Sequence, residues 1–420
     1  MSKASEHAPD TALAASARTL LSAAAVRDRG HRILASATDG RIDDWIVDLD
    51  RLPAAADFVA AVVHDRYPRL DPPPHARWRH FQFAERDLWQ EAVAAKRWPS
   101  PSAAARAAFD LAIMSVLLDA GAGAAWRYRD PATGIVAGRS EGLALASLRW
   151  FEAGGLSDDP NDKLRVDAAV LRRVDAQVLN QALQVSDINP LLAAADRASL
   201  LNRLGETVQA HPDLFAIADA PRPGGLFDAL ATRAVDNRLP AATLLATLLD
   251  ALGPIWRDRP CLGGVPLGDC WPYPGLGGEA PADRYVPLHK LSQWLAYSLI
   301  EPLAHAGVTV CAVHELTGLA EYRNGGLFVD SGVLLPRDPL AWSATHRVSD
   351  PFVVGWRSLT VALLDRIAPL VRERLGLSAE ALPLARILEG GTWAAGRLIA
   401  RQRRADGSPP FHISSDGTVF

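Results

Sequence analysis

The chain has 420 residues, 49% hydrophobic and 22% charged, the balance of an ordinary soluble globular protein. A net charge of −4 and a pI near 6.3 give no basic field for a nucleic-acid polyanion. Cys261, Cys270 and Cys311 form no disulfide framework, and no window approaches the ~18 apolar residues of a membrane span.

The first residues lack a basic stretch followed by an apolar run, so a cytoplasmic protein is expected. Ala-rich residues 11–37 have helical spacing, and 38–45 read as a turn and the start of a helix. A second helix over 52–67 is stopped by Pro68. "LDPPPHARWRHF" (70–81) reads as an extended Pro segment carrying Arg77, Trp78, Arg79, His80 and Phe81. Residues 100–123 form a buried helix with a Ser-Pro start and a Gly stop. After a loop with Trp126 and Arg129, "GRSEGLALASLRWFEAGG" (138–155) is a helix with Ser140 as N-cap, Glu141 against the positive dipole end and Gly154 closing it. Residues 188–212 repeat the pattern, with Asn189 as cap and Pro190 in the first turn.

From Asp258 to Pro287 the chain is dense in Gly and Pro, and a loop of that length carries function or is disordered. Trp271 and Tyr273 favour function. Leu288, Leu291, Trp294, Leu295 and Leu299 share one helical face. Residues 316–336 predict a β-hairpin around Asn324-Gly325-Gly326, and 353–371 and 384–407 predict the closing helices. The fold is expected to be mainly α, in regions 1–100, 101–257 and 258–420 that make one compact unit.

"ADRYVPLHK" (282–290) gathers Asp283, Arg284, His289 and Lys290 at a helix start, where free N–H groups and the dipole attract an anion. Either this is a phosphate site with Asp283 facing a reacting carbon, or Asp283 caps the helix and the cations are solvated. Glu389, Trp393, Gly396 and Ala400 share a helical face with Arg397 at its margin. Gly390 and Gly391 cost roughly 1 kcal/mol each inside a helix, a cost usually offset by close backbone approach. "RWRHF" and "AGRSEG" (137–142 region) place Arg79, His80 and Arg139 as phosphate ligands or surface ion-pair partners. Cys261, Cys270 and His289 do not have structural zinc spacing, so no metal is expected.

Almost the whole chain resembles the bacterial and fungal uracil-catabolism protein family, long classed as a domain of unknown function. The likeness lies in "RWRHF", "GRSEGLALASL", "ADRYVPLHKLSQWL" and the tail "LEGGTWAAGRLIARQRRADGSPPFHISSDGTVF". A fainter resemblance runs to the queuosine 5′-phosphate N-glycosylases, helical hydrolases with a DNA-glycosylase-like core. Their Ala-Asp-Tyr-Arg, apolar residue, Pro stretch is similar to Ala282-Asp283-Arg284-Tyr285-Val286-Pro287, with Arg and Tyr swapped. Their later aspartate, aromatic-rich helix and Pro-Phe-His correspond to Glu389, Trp393 and Pro410-Phe411-His412. Relative to those enzymes the hairpin looks like an insertion, a lid or a brace.

The two resemblances together imply a metal-free, cofactor-free hydrolase that cleaves the C1′–N bond of a ribose 5-phosphate compound. Ribosylurea 5-phosphate, split to urea and ribose 5-phosphate, is the expected substrate. Asp283 would stabilise charge at C1′ or activate water, and Glu389 or His412 would protonate the leaving group. Lys290, Arg139 and Arg397 would hold the phosphate; Arg284, Tyr285, Arg79 and His80 would line the site; Trp126, Trp271 and Trp393 would hold the planar urea. Association with other uracil-catabolism enzymes is also implied. An amidohydrolase acting on the ureido group and a non-catalytic binding or scaffold protein are the alternatives.

Overall fold

Helical spacing in the sequence becomes helix along most of the chain in the computed structural model, which describes residues 11–119, 121–123, 125–217 and 220–414. Residues 1–10 of the expected N-terminal region and 415–420 of the matched tail lie outside the described residues. The fold is mainly α: strands occur among the described residues only as short two-stranded pairs. The Ala-rich start divides at residues 20–22 into Thr11–Thr19 and Ala23–Thr38, the second capped by Ser22, whose hydroxyl accepts from the Ala25 N–H.

One apolar cluster runs from Ala23 to Phe411, with a small satellite of Ala17, Leu20, Val265, Leu267, Cys270 and Ala282. The long helix Pro351–Leu375 packs along Ala23–Thr38 and Leu52–Arg66, while Lys290–His305 packs on Pro101–Leu117. Pro101 sits in the first turn of its helix and Ser100 Oγ accepts from Ala103, so the predicted start is the observed one.

The predicted hairpin at 316–336 is instead helix Tyr322–Asp330, followed by strand Leu334–Pro336, which pairs with Trp45–Val47. Asn324-Gly325-Gly326 looked like a turn because these residues favour one locally. Two tertiary facts override that preference. Glu321 caps the helix by accepting from the N–H groups of Arg323 and Asn324, and Gly325 lets Trp356 pack closely; a Cβ there would lie 2.7 Å from its Nε1. The helix expected from Asn189 begins later, at Ala194, because the Asn189 amide is occupied in binding Arg127 and Gln184 backbone.

The Gly/Pro stretch forms strands Cys270–Pro272 and Tyr285–Pro287, paired antiparallel with Trp271 opposite Val286. Asp269, just ahead of this pair, fixes the start of helix Lys290–His305. Its backbone carbonyl accepts from Leu288 and His289, and its Oδ2 accepts from the Lys290 N–H. In the last helical segment, Leu388–Thr392 forms a π turn between Leu384–Ile387 and Trp393–Arg403.

Candidate active site

Six separated segments converge on a cleft that opens to solvent. His75 and His80 come from the Pro segment and the 3-10 turn Arg77–Phe81. Asp119 follows helix Pro101–Leu117, and Arg139, Ser140 and Glu141 open helix Arg139–Glu152. Lys290 and Trp294 lie on the first turns of Lys290–His305; Leu319, Glu321, Tyr322 and Arg323 enter at the start of Tyr322–Asp330; Trp393 and Arg397 come from the last helix. Gly396 makes this convergence possible, since a Cβ there would overlap the Arg323 carbonyl oxygen.

The two histidines have different proton arrangements. His75 Nδ1 lies 2.6 Å from Glu389 Oε2, and both residues are buried. A carboxylate only accepts, so His75 donates from Nδ1 and its Nε2 is left for the cleft. Burial would raise the Glu389 carboxyl, but the hydrogen bond and charge of His75 hold it below the usual range. His80 Nδ1 lies 3.2 Å from Arg77 Nη1, and a guanidinium has no acceptor, so His80 accepts at Nδ1 and carries its proton at Nε2. Burial, reinforced by the Arg77 charge, pushes the His80 pKa down to about 4. At neutral pH His80 is therefore a neutral N–H donor.

The carboxylates differ as well. Asp119 is buried and meets Arg77 Nη1 at 3.1 Å and Ser140 Oγ at 2.7 Å; against the cost of burial, the Arg77 charge holds it below the ordinary value. Glu141 pairs with Arg397 at 2.5 Å. Glu321 is buried on two backbone N–H groups, with no guanidinium on its oxygens among the described residues, and burial raises its pKa. Arg139 has its pKa lowered by burial and by its cationic neighbours Arg323 and Arg397, the signature of guanidinium groups gathered where an anion can bind. Among the described residues Trp294 Nε1, which is buried, has no hydrogen-bond partner although its ring lines the cleft.

Against this geometry the sequence-derived residues divide. His80, Arg139, Lys290, Trp393 and Arg397 line the cleft, and Glu389 stands behind His75. Asp283 does not reach it: its carboxylate pairs with Arg29 at 3.3 Å and accepts from the Ala280 N–H. Nor does it cap helix Lys290–His305, a task that Asp269 performs. Arg284 is exposed and Tyr285 packs against the satellite cluster. His412 is exposed because the preceding Phe411 turns inward against Trp45 and Phe352, and neighbouring residues of an extended chain face opposite ways. Trp126 is wholly buried, donating to the Leu183 carbonyl; Trp271 donates to Asp269; Arg79 is held by Glu301. Ser140 is not the N-cap, which is Gly138.

A family model described as a protein of unknown function (DUF1688) matches residues 19–420. The chain belongs to the DUF1688 family. Among its relatives, Protein urg3 of Schizosaccharomyces pombe is 36% identical over 414 residues, covering 96% of this chain and 98% of that protein. Uracil catabolism protein 4 of Lachancea kluyveri is 36% identical over 416 residues, covering 91% of this chain and 93% of that protein.

Sequence reasoning missed His75, Asp119, Glu141 as a cleft residue, Trp294 and the Glu321–Arg323 run of this DUF1688 chain. One signal was available for the last of these. Ala320-Glu321-Tyr322-Arg323 has the order Ala, acid, Tyr, Arg without the swap seen at 282–285, and it is this copy that lines the cleft. Among the described residues no group of three His, Cys, Asp or Glu side chains is arranged to hold a metal ion, and no helix is long and apolar enough to cross a membrane.

Proposed function

We propose that the cleft hydrolyses the N-glycosidic bond of a phosphorylated N-riboside, with ribosylurea 5-phosphate as the uracil-derived example. One observation carries this reading: Glu321, the Glu389-held His75 and the Arg139–Arg323–Arg397 cluster all belong to a single cleft. The name of the Lachancea kluyveri relative supports the choice of a uracil fragment as substrate.

Breaking a C1′–N bond builds positive charge on C1′ and the ring oxygen, which a nearby carboxylate stabilises. Glu321 takes that role, since two backbone N–H groups favour its anion and fix its direction. The leaving nitrogen needs a proton, and the doubly protonated His75 ring delivers it from Nε2 while Glu389 holds Nδ1–H. His80 donates its Nε2–H to the carbonyl oxygen of the leaving group. Trp294 and Trp393 flank the planar urea, and the three guanidinium groups take the phosphate.

Purified protein given ribosylurea 5-phosphate should release urea and ribose 5-phosphate in equal amounts. Glu321→Gln should lower kcat by more than tenfold, a loss above ~1.4 kcal/mol of transition-state stabilisation. Release of ammonia in place of urea, or no consumption of the compound, would overturn the proposal.

A further inference from the structure

The chain has four lysines against 40 arginines, so a cation needed only for its charge is almost always supplied as Arg. Lys96 has such an ordinary role, pairing with Asp162 and covering the Trp98 ring. Lys290 differs. Its backbone N–H is fixed by Asp269, its side chain enters the cleft, and among the described residues its Nζ meets the Trp294 ring, 5.7 Å from the centroid, without an ion pair or hydrogen bond. The two acids of the cleft that act on it, Asp119 and Glu321, have their oxygens engaged by Arg77 and Ser140 and by the backbone of Arg323 and Asn324. Nothing therefore ties the amine up, and burial lowers its pKa, which enlarges the neutral, nucleophilic fraction. Arginine cannot replace an amine in bond formation.

We infer that Lys290 is the nucleophile of the cleft, attacking C1′ of the riboside to form an imine with the opened sugar. The inference rests on the N-glycosidic reading above and adds the covalent step. The Nζ lone pair forms the bond to C1′ as the C1′–N bond breaks, and the departing nitrogen takes the His75 proton. Nζ loses a proton to Glu321. The ring C1′–O bond then opens, the ring oxygen taking that proton back from Glu321 as C1′=Nζ forms. Water adds across that double bond, and collapse returns the free amine and ribose 5-phosphate. Overall one water is consumed and no electron donor or acceptor is needed. Glu321 serves both steps, as the charge beside C1′ and as the acceptor of the amine proton.

The test uses the full-length protein, ribose 5-phosphate and cyanoborohydride, which reduces an imine to a stable secondary amine. Peptide mass mapping should place one pentose-phosphate adduct on Lys290, formed faster than any on Lys96 or Lys163. It should be absent from Lys290→Arg and Lys290→Met, whose folded state is checked by circular dichroism. Turnover of ribosylurea 5-phosphate is measured in parallel. No adduct at position 290, or adducts confined to the other lysines, overturns the inference even where turnover proceeds and the hydrolase reading survives. An adduct at Lys290 without turnover supports the amine and overturns the hydrolase reading instead.

Discussion

Asp269 joins the folding of the Gly/Pro stretch to the position of Lys290, and its replacement by Asn removes the charge together with one of its two acceptor oxygens. Its Oδ1 accepts from Arg357 Nη1 at 2.8 Å and Trp271 Nε1 at 2.9 Å; its Oδ2 accepts from Arg357 Nη2 at 2.8 Å and Lys290 N at 3.1 Å. Asp269 is 5% exposed and Arg357 1%. An Asn amide can accept on one side only, so two of the four bonds become donor against donor whichever way it turns. Breaking a buried, hydrogen-bonded ion pair costs about 3–5 kcal/mol. That is a large share of the roughly 5–15 kcal/mol by which a domain is stable. Urea denaturation should show the midpoint falling with the slope unchanged. Burial would raise the Asp269 carboxyl, but the Arg357 charge and hydrogen bonds hold it well below the usual carboxylate range. Its contribution is therefore fully present above the unfolded pKa near 3.8 and is lost as pH falls through the lower folded value, so the wild-type-to-variant gap should be constant from pH 5 to 8. A loss below about 1 kcal/mol, or a cost that adds fully to that of Arg357→Met in the double variant, would refute the reasoning.

Asp283→Asn should leave turnover within about twofold of wild type, because the residue sits on Arg29 outside the cleft; a loss beyond tenfold, more than ~1.4 kcal/mol, would contradict this placement. Gly396→Ala should destabilise by about 1–3 kcal/mol or more and weaken phosphate binding, read by thermal melting and inhibition by inorganic phosphate, since the added methyl must push away the Arg323 backbone. In an NMR titration His80 should protonate with a midpoint near 4. Because that value lies below the unfolded 6.5, the stability that neutral His80 confers is complete above about pH 6.5 and declines as pH falls toward 4.

Local patterns made the helices legible: the Ser-Pro start at 100–101, the apolar face from Leu288 and the glycine after residue 153 all appear where spacing and capping chemistry put them. Tyr322–Asp330 was not legible, because its Asn-Gly-Gly reads as a turn and only Trp356 and the Glu321 cap reveal the helix. The cleft was half visible. Lys290, Arg139, Trp393 and Arg397 attract notice by residue type next to helix ends, whereas His75 follows three prolines and becomes meaningful only through Glu389, 314 positions away. Asp283 had every local mark of a site residue, but no local pattern reports that the strand pair Cys270–Pro272 and Tyr285–Pro287 leaves it beside Arg29.

The π turn at Leu388–Thr392 makes residue count itself a functional quantity. Such a turn holds one amino acid more than a regular helix would, and each amino acid advances a helix by about 100°. Dropping a single glycine from 390–391 would tighten the coil into an ordinary one and swing Trp393 and Arg397 around the axis, away from the hollow they border. The lesion would remove no side chain from the chemistry, only the phase in which two of them arrive.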